Sequence, residues 1–272
     1  MDKSKNVRKQ IQSLEGDWTM KKLNLATKVL SAVIILGAAG VLFAIQIGGR
    51  IESSAKKSYV FKTYLKGDDI KIKTTNDSIV ILTGTVSEWS HRSLAEETVA
   101  GLPGVVRVDN KLEVKGGQPA ENSDIWIGMK VKTMLMFHRN VSGVKTEIDV
   151  KDGVVTLRGH APSEAQRELT SEYVKEVEGV KSVNNDMKSS EPTKTNFEKV
   201  GDDIDDASIT AQVKIALLFH KSTSAVNIKV STNKGMVRIY GNVESSAEES
   251  LVVALVNNIK GVNGIINEMN VE

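Results

Sequence analysis

A chain of 272 residues with 40% apolar and 26% charged side chains is too polar for a multi-spanning membrane protein and apolar enough for folded cores. Its 36 basic and 34 acidic side chains nearly cancel, so no whole-protein field gathers nucleic acid, and nucleic acid is not an expected partner. With no cysteine there are no disulfides, thiolate metal sites or thiol nucleophile.

Residues 1–28 form a basic arm, with Lys3, Lys5, Arg8, Lys9, Lys21, Lys22 and Lys28 against Asp2, Glu15 and Asp17. Val7, Ile11, Leu14 and Trp18 recur at steps that place one apolar stripe on a helix, suited to a membrane surface or a partner helix. Residues 29–49 carry no formal charge, and only Ser31 and Gln46 are polar. As a helix this run would span roughly 30 Å, the thickness of a bilayer core. An uncleaved signal anchor is expected rather than a cleaved leader, because the preceding region is long and no small-x-small site precedes Arg50. The charge asymmetry then keeps the N-terminus cytoplasmic and the remaining chain outside. Gly40, Ala44 and Gly48 fall at i, i+4 and i+8, a ridge through which two such helices could associate.

Beyond the span, one pattern occurs three times, over 54–116, 122–188 and 205–272, with a polar linker at 189–204. Each copy has a β-type run ending near a glycine (Gly84, Gly159, Gly241), and a second glycine follows 20 residues later (Gly104, Gly179, Gly261). Six residues on stands asparagine: Asn110, Asn185 and Asn267. Asp152-Gly153 and Lys234-Gly235 suit tight hairpin turns, with Asn76-Asp77-Ser78 in the matching place. Ser163 to Gln166 and Ser245 to Glu248 have capping-box form, opening a helix that the second glycine is expected to cap. Ahead of each hairpin, Ile127, Val131, Met134, Leu135 and Ile209, Val213, Ala216, Leu217 recur with helical period. The chain therefore reads as α+β, one N-terminal transmembrane helix followed by three tandem small αββαβ modules. Each module is a three-stranded mixed sheet packed by two helices. Copy one departs: five residues are missing between Leu65 and Gly84, so its first helix is expected to be short or reshaped.

The hairpin run Asp152 to Gly159, its counterparts ending at Gly84 and Gly241, and the glycine-valine-asparagine spacing resemble the BON domain, named for bacterial OsmY and nodulation proteins. That resemblance implies an exported envelope or periplasmic protein, contact with phospholipid, a role in osmotic or envelope stress, oligomeric assembly, and no catalysis. Combined with the expected anchor, it implies a single-pass protein of the bacterial inner membrane with periplasmic modules.

No Walker loop, GxSxG elbow or HExxH occurs, so no enzyme, cofactor or metal is expected. His138 and His220 sit at matching places near helix ends, where a proximal negative dipole accounts for them. Asp202, Asp203, Asp205 and Asp206 read as acidity at a helix start rather than a calcium loop. The core stripe of copy two leaves Trp126, Lys130, Thr133 and Phe137 on another helical face, an expected surface contact for lipid or a partner, or for a neighbouring module. Two functions compete: modules that bind phospholipid or an envelope protein, and a scaffold that packs its modules into a homo-oligomer or ring at the membrane.

Overall fold

The computed structural model of the protein describes residues 49–141, 146–189, 203–223 and 225–272. Three similar α+β units follow one another along the chain. The first holds α1 (49–57), α2 (Tyr59–Thr63), β1 (Asp69–Thr74), β2 (Ile79–Val86), α3 (Trp89–Ala100) and β3 (Arg107–Val114). The second holds α4 (Asp124–Phe137), β4 (Thr146–Lys151), β5 (Val154–Ala161), α5 (Glu164–Lys175), β6 (Ser182–Asn185) and β7 (Lys188–Ser189). The third holds α6 (Asp206–Phe219), β8 (Ile228–Asn233), β9 (Met236–Val243), α7 (Ser246–Asn257) and β10 (Gly264–Val271). In each sheet the central strand pairs antiparallel with the hairpin partner before it and parallel with the last strand. β7 continues the last strand of module 2 along β5 after a break at Asp186-Met187.

Local chemistry sets these elements. Asp152 (φ 53°) with Gly153 (φ 82°) and Lys234 (φ 52°) with Gly235 (φ 75°) make tight turns with both central residues left-handed. Asp124, in the first turn of α4, accepts the N–H groups of Asp152 and Gly153 at 2.8 and 2.9 Å. Asp206 does the same for Lys234 and Gly235, at 2.8 Å each. Ser123 and Asp205 cap α4 and α6, and Ser163 and Ser245 cap α5 and α7.

Gly84 and Gly241 do not end their strands; they kink them from inside. Each is paired across the hairpin, with φ of 118° and 130°, and a Cβ would overlap the carbonyl oxygen of Asp69 or Asn227. Gly104, Gly179 and Gly261 are not the helix caps expected: the caps are Gly101, Glu176 and Asn258, three residues earlier. The later glycines take the left-handed corner of a β-turn, closed by Val105, Val180 and Val262 N–H to the carbonyl three residues back. Asn110, Asn185 and Asn267 tie the last strand to the second helix. The Nδ2 groups of Asn110 and Asn185 donate to the Arg92 and Arg167 carbonyls, and that of Asn267 to Glu249.

The first helix of module 1 is broken at Ser58 into α1 and α2. The arm at 1–28, the ridge Gly40, Ala44, Gly48, and the expected span at 29–49 apart from Gly49 lie outside the described residues. Among the described residues no helix is long and apolar enough to cross a membrane, and on that finding the expectation of a single-pass inner-membrane protein with a cytoplasmic N-terminus is corrected. Helix α1 turns Ile51 and Ala55 into the protein core.

Candidate functional site

The three modules meet in a seam centred on α4 and α6, which are apolar on more than one face and correspondingly enclosed. Modules 2 and 3 face each other across an internal two-fold axis that relates residues 82 apart in sequence, such as Asp124 and Asp206. Arg139 N–H donates to the Asn258 carbonyl at 2.9 Å, and Lys260 N–H to that of Phe137 at 3.0 Å. Their two-fold counterparts are Lys221 N–H to Glu176 at 3.0 Å and Glu178 N–H to Phe219 at 2.9 Å. This short antiparallel ladder, with His138 opposite Ile259 and His220 opposite Val177, is isologous packing written into one chain.

Module 1 closes the same seam with side chains. The Tyr64 ring lies 5.5 Å from Phe137, and the Trp89 ring 6.1 Å from Phe219 and 4.7 Å from Trp126. The two-fold-related phenylalanines are thus each met by a different aromatic of module 1. Tyr59 N–H donates to Asp205 at 2.7 Å, and Val60 N–H to Ser208 at 3.1 Å. Lys214 pairs with Glu97 at 2.7 Å and Lys132 with Glu88 at 2.8 Å.

The surface expected of Trp126, Lys130, Thr133 and Phe137 is therefore interior. Lys130 is 1% exposed and Phe137 0%. Lys130 is paired with Glu178 at 2.9 Å, whose side chain reaches water. The physical reason is that α4 has neighbours on two faces, so a second apolar face means a second contact rather than exposure.

His138 and His220 stand at the ladder. Each Nδ1 accepts a backbone N–H, from Asn140 at 3.1 Å and Ser222 at 3.2 Å, which leaves the ring proton on Nε2. Burial, reinforced by Arg139 and Lys260, lowers the His138 pKa to about 4. Its Nε2 has no hydrogen-bond partner among the described residues, and its ring lies tilted at 46° to that of Tyr173 with centroids 3.7 Å apart. Burial also lowers His220, opposed by Glu176 and assisted by Lys221.

Sequence reasoning missed one cluster. Ser87, His91 and Asp68 carry the residue types of a nucleophile triad, but Ser87 Oγ (3.2 Å) and Asp68 Oδ2 (2.6 Å) both approach Nδ1 of His91. A catalytic histidine uses its two nitrogens separately, one for serine and one for acid. Here Ser87 also donates N–H and O–H to Asp68, at 2.8 and 2.7 Å, and the cluster locks the start of α3. Asp205 and Asp206 are spent on caps and turns, Asp202 lies outside the described residues, and among the described residues no group of three could hold a metal ion.

One open groove of about 790 Å³ lies between modules 1 and 2, floored by α4 and walled by Trp89, Val114 and Ile148. Among the described residues, Glu88, Lys115 and Lys132 are the charged ones lining it.

Against known proteins, the model of the BON domain matches residues 49–116, 123–190 and 205–272. Osmotically-inducible protein Y of Escherichia coli (strain K12) is 31% identical over 143 residues, covering 51% of this chain and 71% of that protein. A 21 kDa hemolysin of Actinobacillus pleuropneumoniae is 29% identical over 119 residues, covering 44% of this chain and 58% of its own length. Among solved structures, the C-terminal domain of CdsD, the structural protein of the type III secretion system of Chlamydia trachomatis, aligns at 14% identity and a TM-score of 0.22, covering 78% of this chain and 95% of that one. The PrgH periplasmic domain aligns at 10% identity and 0.18, covering 76% and 97%.

Proposed function

The chain belongs to the BON domain family, and from that premise we propose that it is a non-catalytic binding protein of the bacterial envelope that supports tolerance of osmotic or envelope stress. The observation that carries this reading is the seam: the repeated positions serve backbone shape and module packing, and the side chains that could suggest chemistry are spent on caps and locks. The relative induced by osmotic stress supports the physiological setting.

The burial of Trp126, Lys130 and Phe137 inside the seam withdraws them from both lipid and partner contact, and phospholipid or a partner protein would have to meet other surfaces. A homo-oligomer would likewise need a surface other than the ladder, which is satisfied within one chain. The test is growth of a strain lacking the protein after osmotic upshift, complemented with the full chain or with Phe137→Ala. A growth defect restored by the wild type and not by the seam variant supports the reading. Absence of any defect under osmotic, detergent and acid challenge overturns it. Flotation of the full chain with phosphatidylglycerol and phosphatidylethanolamine vesicles separates lipid from protein partners.

A further inference from the structure

The internal two-fold axis makes two copies of one helix face, and among the described residues a helix lies over only one of them. On α6, Ala207, Ala211, Lys214 and Leu218 recur at i, i+4, i+7 and i+11. Helix α3 lies over this stripe from Ala207 to Lys214. A Cβ added to Gly101 would stand 3.4 Å from Ala207, Lys214 pairs with Glu97, and Ala207 and Ala211 are buried. The counterparts on α4 are Ile125, Met129, Lys132 and Met136, and all four line the open groove. The two faces differ at one end: Ile125 is 73% exposed where its counterpart Ala207 is 8%, while Met129 is buried like Ala211 and Leu218 at the far end of the α6 stripe is itself exposed. One chain has a single α3, so its seating on α6 leaves the equivalent face of α4 without a helix among the described residues.

We propose that the groove over α4 is a docking site for one acidic amphipathic helix of a partner protein, seated as α3 is seated on α6. This rests on the reading that the protein acts by binding. Three observations define the occupant. First, the equivalent face takes a helix, so the shape to be matched is a helix lying across the stripe rather than an extended strand. Second, among the described residues the lining carries two lysines, Lys115 and Lys132, against one carboxylate, Glu88, so a helix bringing carboxylates is favoured as it approaches. Third, Lys132 holds Glu88 at 2.8 Å with its side chain half exposed, so it can turn to an incoming carboxylate as Lys214 turns to Glu97. A second copy of this chain does not fit the requirement with its own α3, which is already engaged.

The experiment uses the full chain and a fluorescein-labelled peptide of residues 88–101, the helix known to fit the equivalent face, followed by anisotropy. Saturable one-to-one binding is expected, on the order of tens of micromolar for an isolated helix in a groove. Ile125→Glu should weaken it at least tenfold, as should Lys132→Glu, and Glu97→Lys in the peptide should do the same. Both protein substitutions are at exposed side chains, and unchanged melting temperatures will show that the fold is intact. Failure to saturate, or equal binding by wild type and both variants, overturns the docking site. Self-association of the wild type that Ile125→Glu abolishes also overturns it, in favour of a second copy. The outcome is separable from the wider reading: complementation of osmotic growth by the wild type with no peptide binding sinks only the groove.

Discussion

Modules 2 and 3 hold each other by main-chain hydrogen bonds repeated on both sides of a two-fold axis, whereas module 1 holds them both by aromatic rings and ion pairs. The contrast has a covalent origin. The segments carrying His138-Arg139 and His220-Lys221 follow α4 and α6, and the five residues absent from module 1 fall in the matching stretch. The donors Glu178 and Lys260 correspond to Pro103, which has no N–H to give. Module 1 therefore lacks both sides of the ladder and docks through its helices. Cohesion between repeats is thus set by a short connector and one imino acid, not by the fold they share.

The hardest blow to this contrast comes from the kink glycines. Gly241→Ala should cost about 4 kcal/mol or more, since its Cβ would overlap the Asn227 carbonyl, and because the ladder ties modules 2 and 3 it should expose both to hydrogen exchange. Gly84→Ala should release module 1 while modules 2 and 3 stay protected; equal loss in all three modules from either variant would break the distinction. Next, Phe137→Ala and Phe219→Ala should each cost about 3 to 4 kcal/mol in denaturant unfolding, and the two-fold relation requires them to be similar.

Acidification tests the ladder alone. His138 is lowered to about 4 from an unfolded value near 6.5, so the stability it contributes is full above that unfolded value and is lost as pH falls toward its folded one. The loss should be on the order of 3 kcal/mol once His138 is protonated in the folded state, measured by unfolding at pH 7.5 and pH 4. His138→Gln should flatten that dependence; an unchanged slope would remove the histidine from the account. A finer cut is Lys260→Pro against Lys260→Ala, which isolates the N–H donated to Phe137 and should differ by about 1 kcal/mol. Glu97→Gln, at a half-exposed pair, should cost less than about 1 kcal/mol.

The order of helices and strands was legible because the glycines and asparagines recur at fixed offsets and serve backbone geometry. Gly179 announced a chain reversal, but a left-handed residue does not say which residue ends the helix, and Glu176 does so. The candidate site was legible only in part. Helical periodicity assigns one stripe to the core and the rest to water when a helix has one neighbour. Helix α4 has several, so Trp126 and Phe137 are inside and Ile125, which no stripe singles out, is outside. A signal was present: α6 reads apolar from Ile209 to Phe219 with little charge but Lys214, the composition of an enclosed helix. Burial of Lys130 was not legible, because its partner Glu178 is 48 residues away.

The two-fold relation between modules 2 and 3 resembles that of a homodimer, with one difference in what substitutions can do. In a homodimer every change appears twice, and a residue that suits one face is imposed on its mirror. Joined in one polypeptide, the halves are free to drift apart: Ala207 can stay small beneath a close backbone while Ile125 grows large at the same helical position. Tandem fusion thereby turns a symmetric contact into two independently tunable ones.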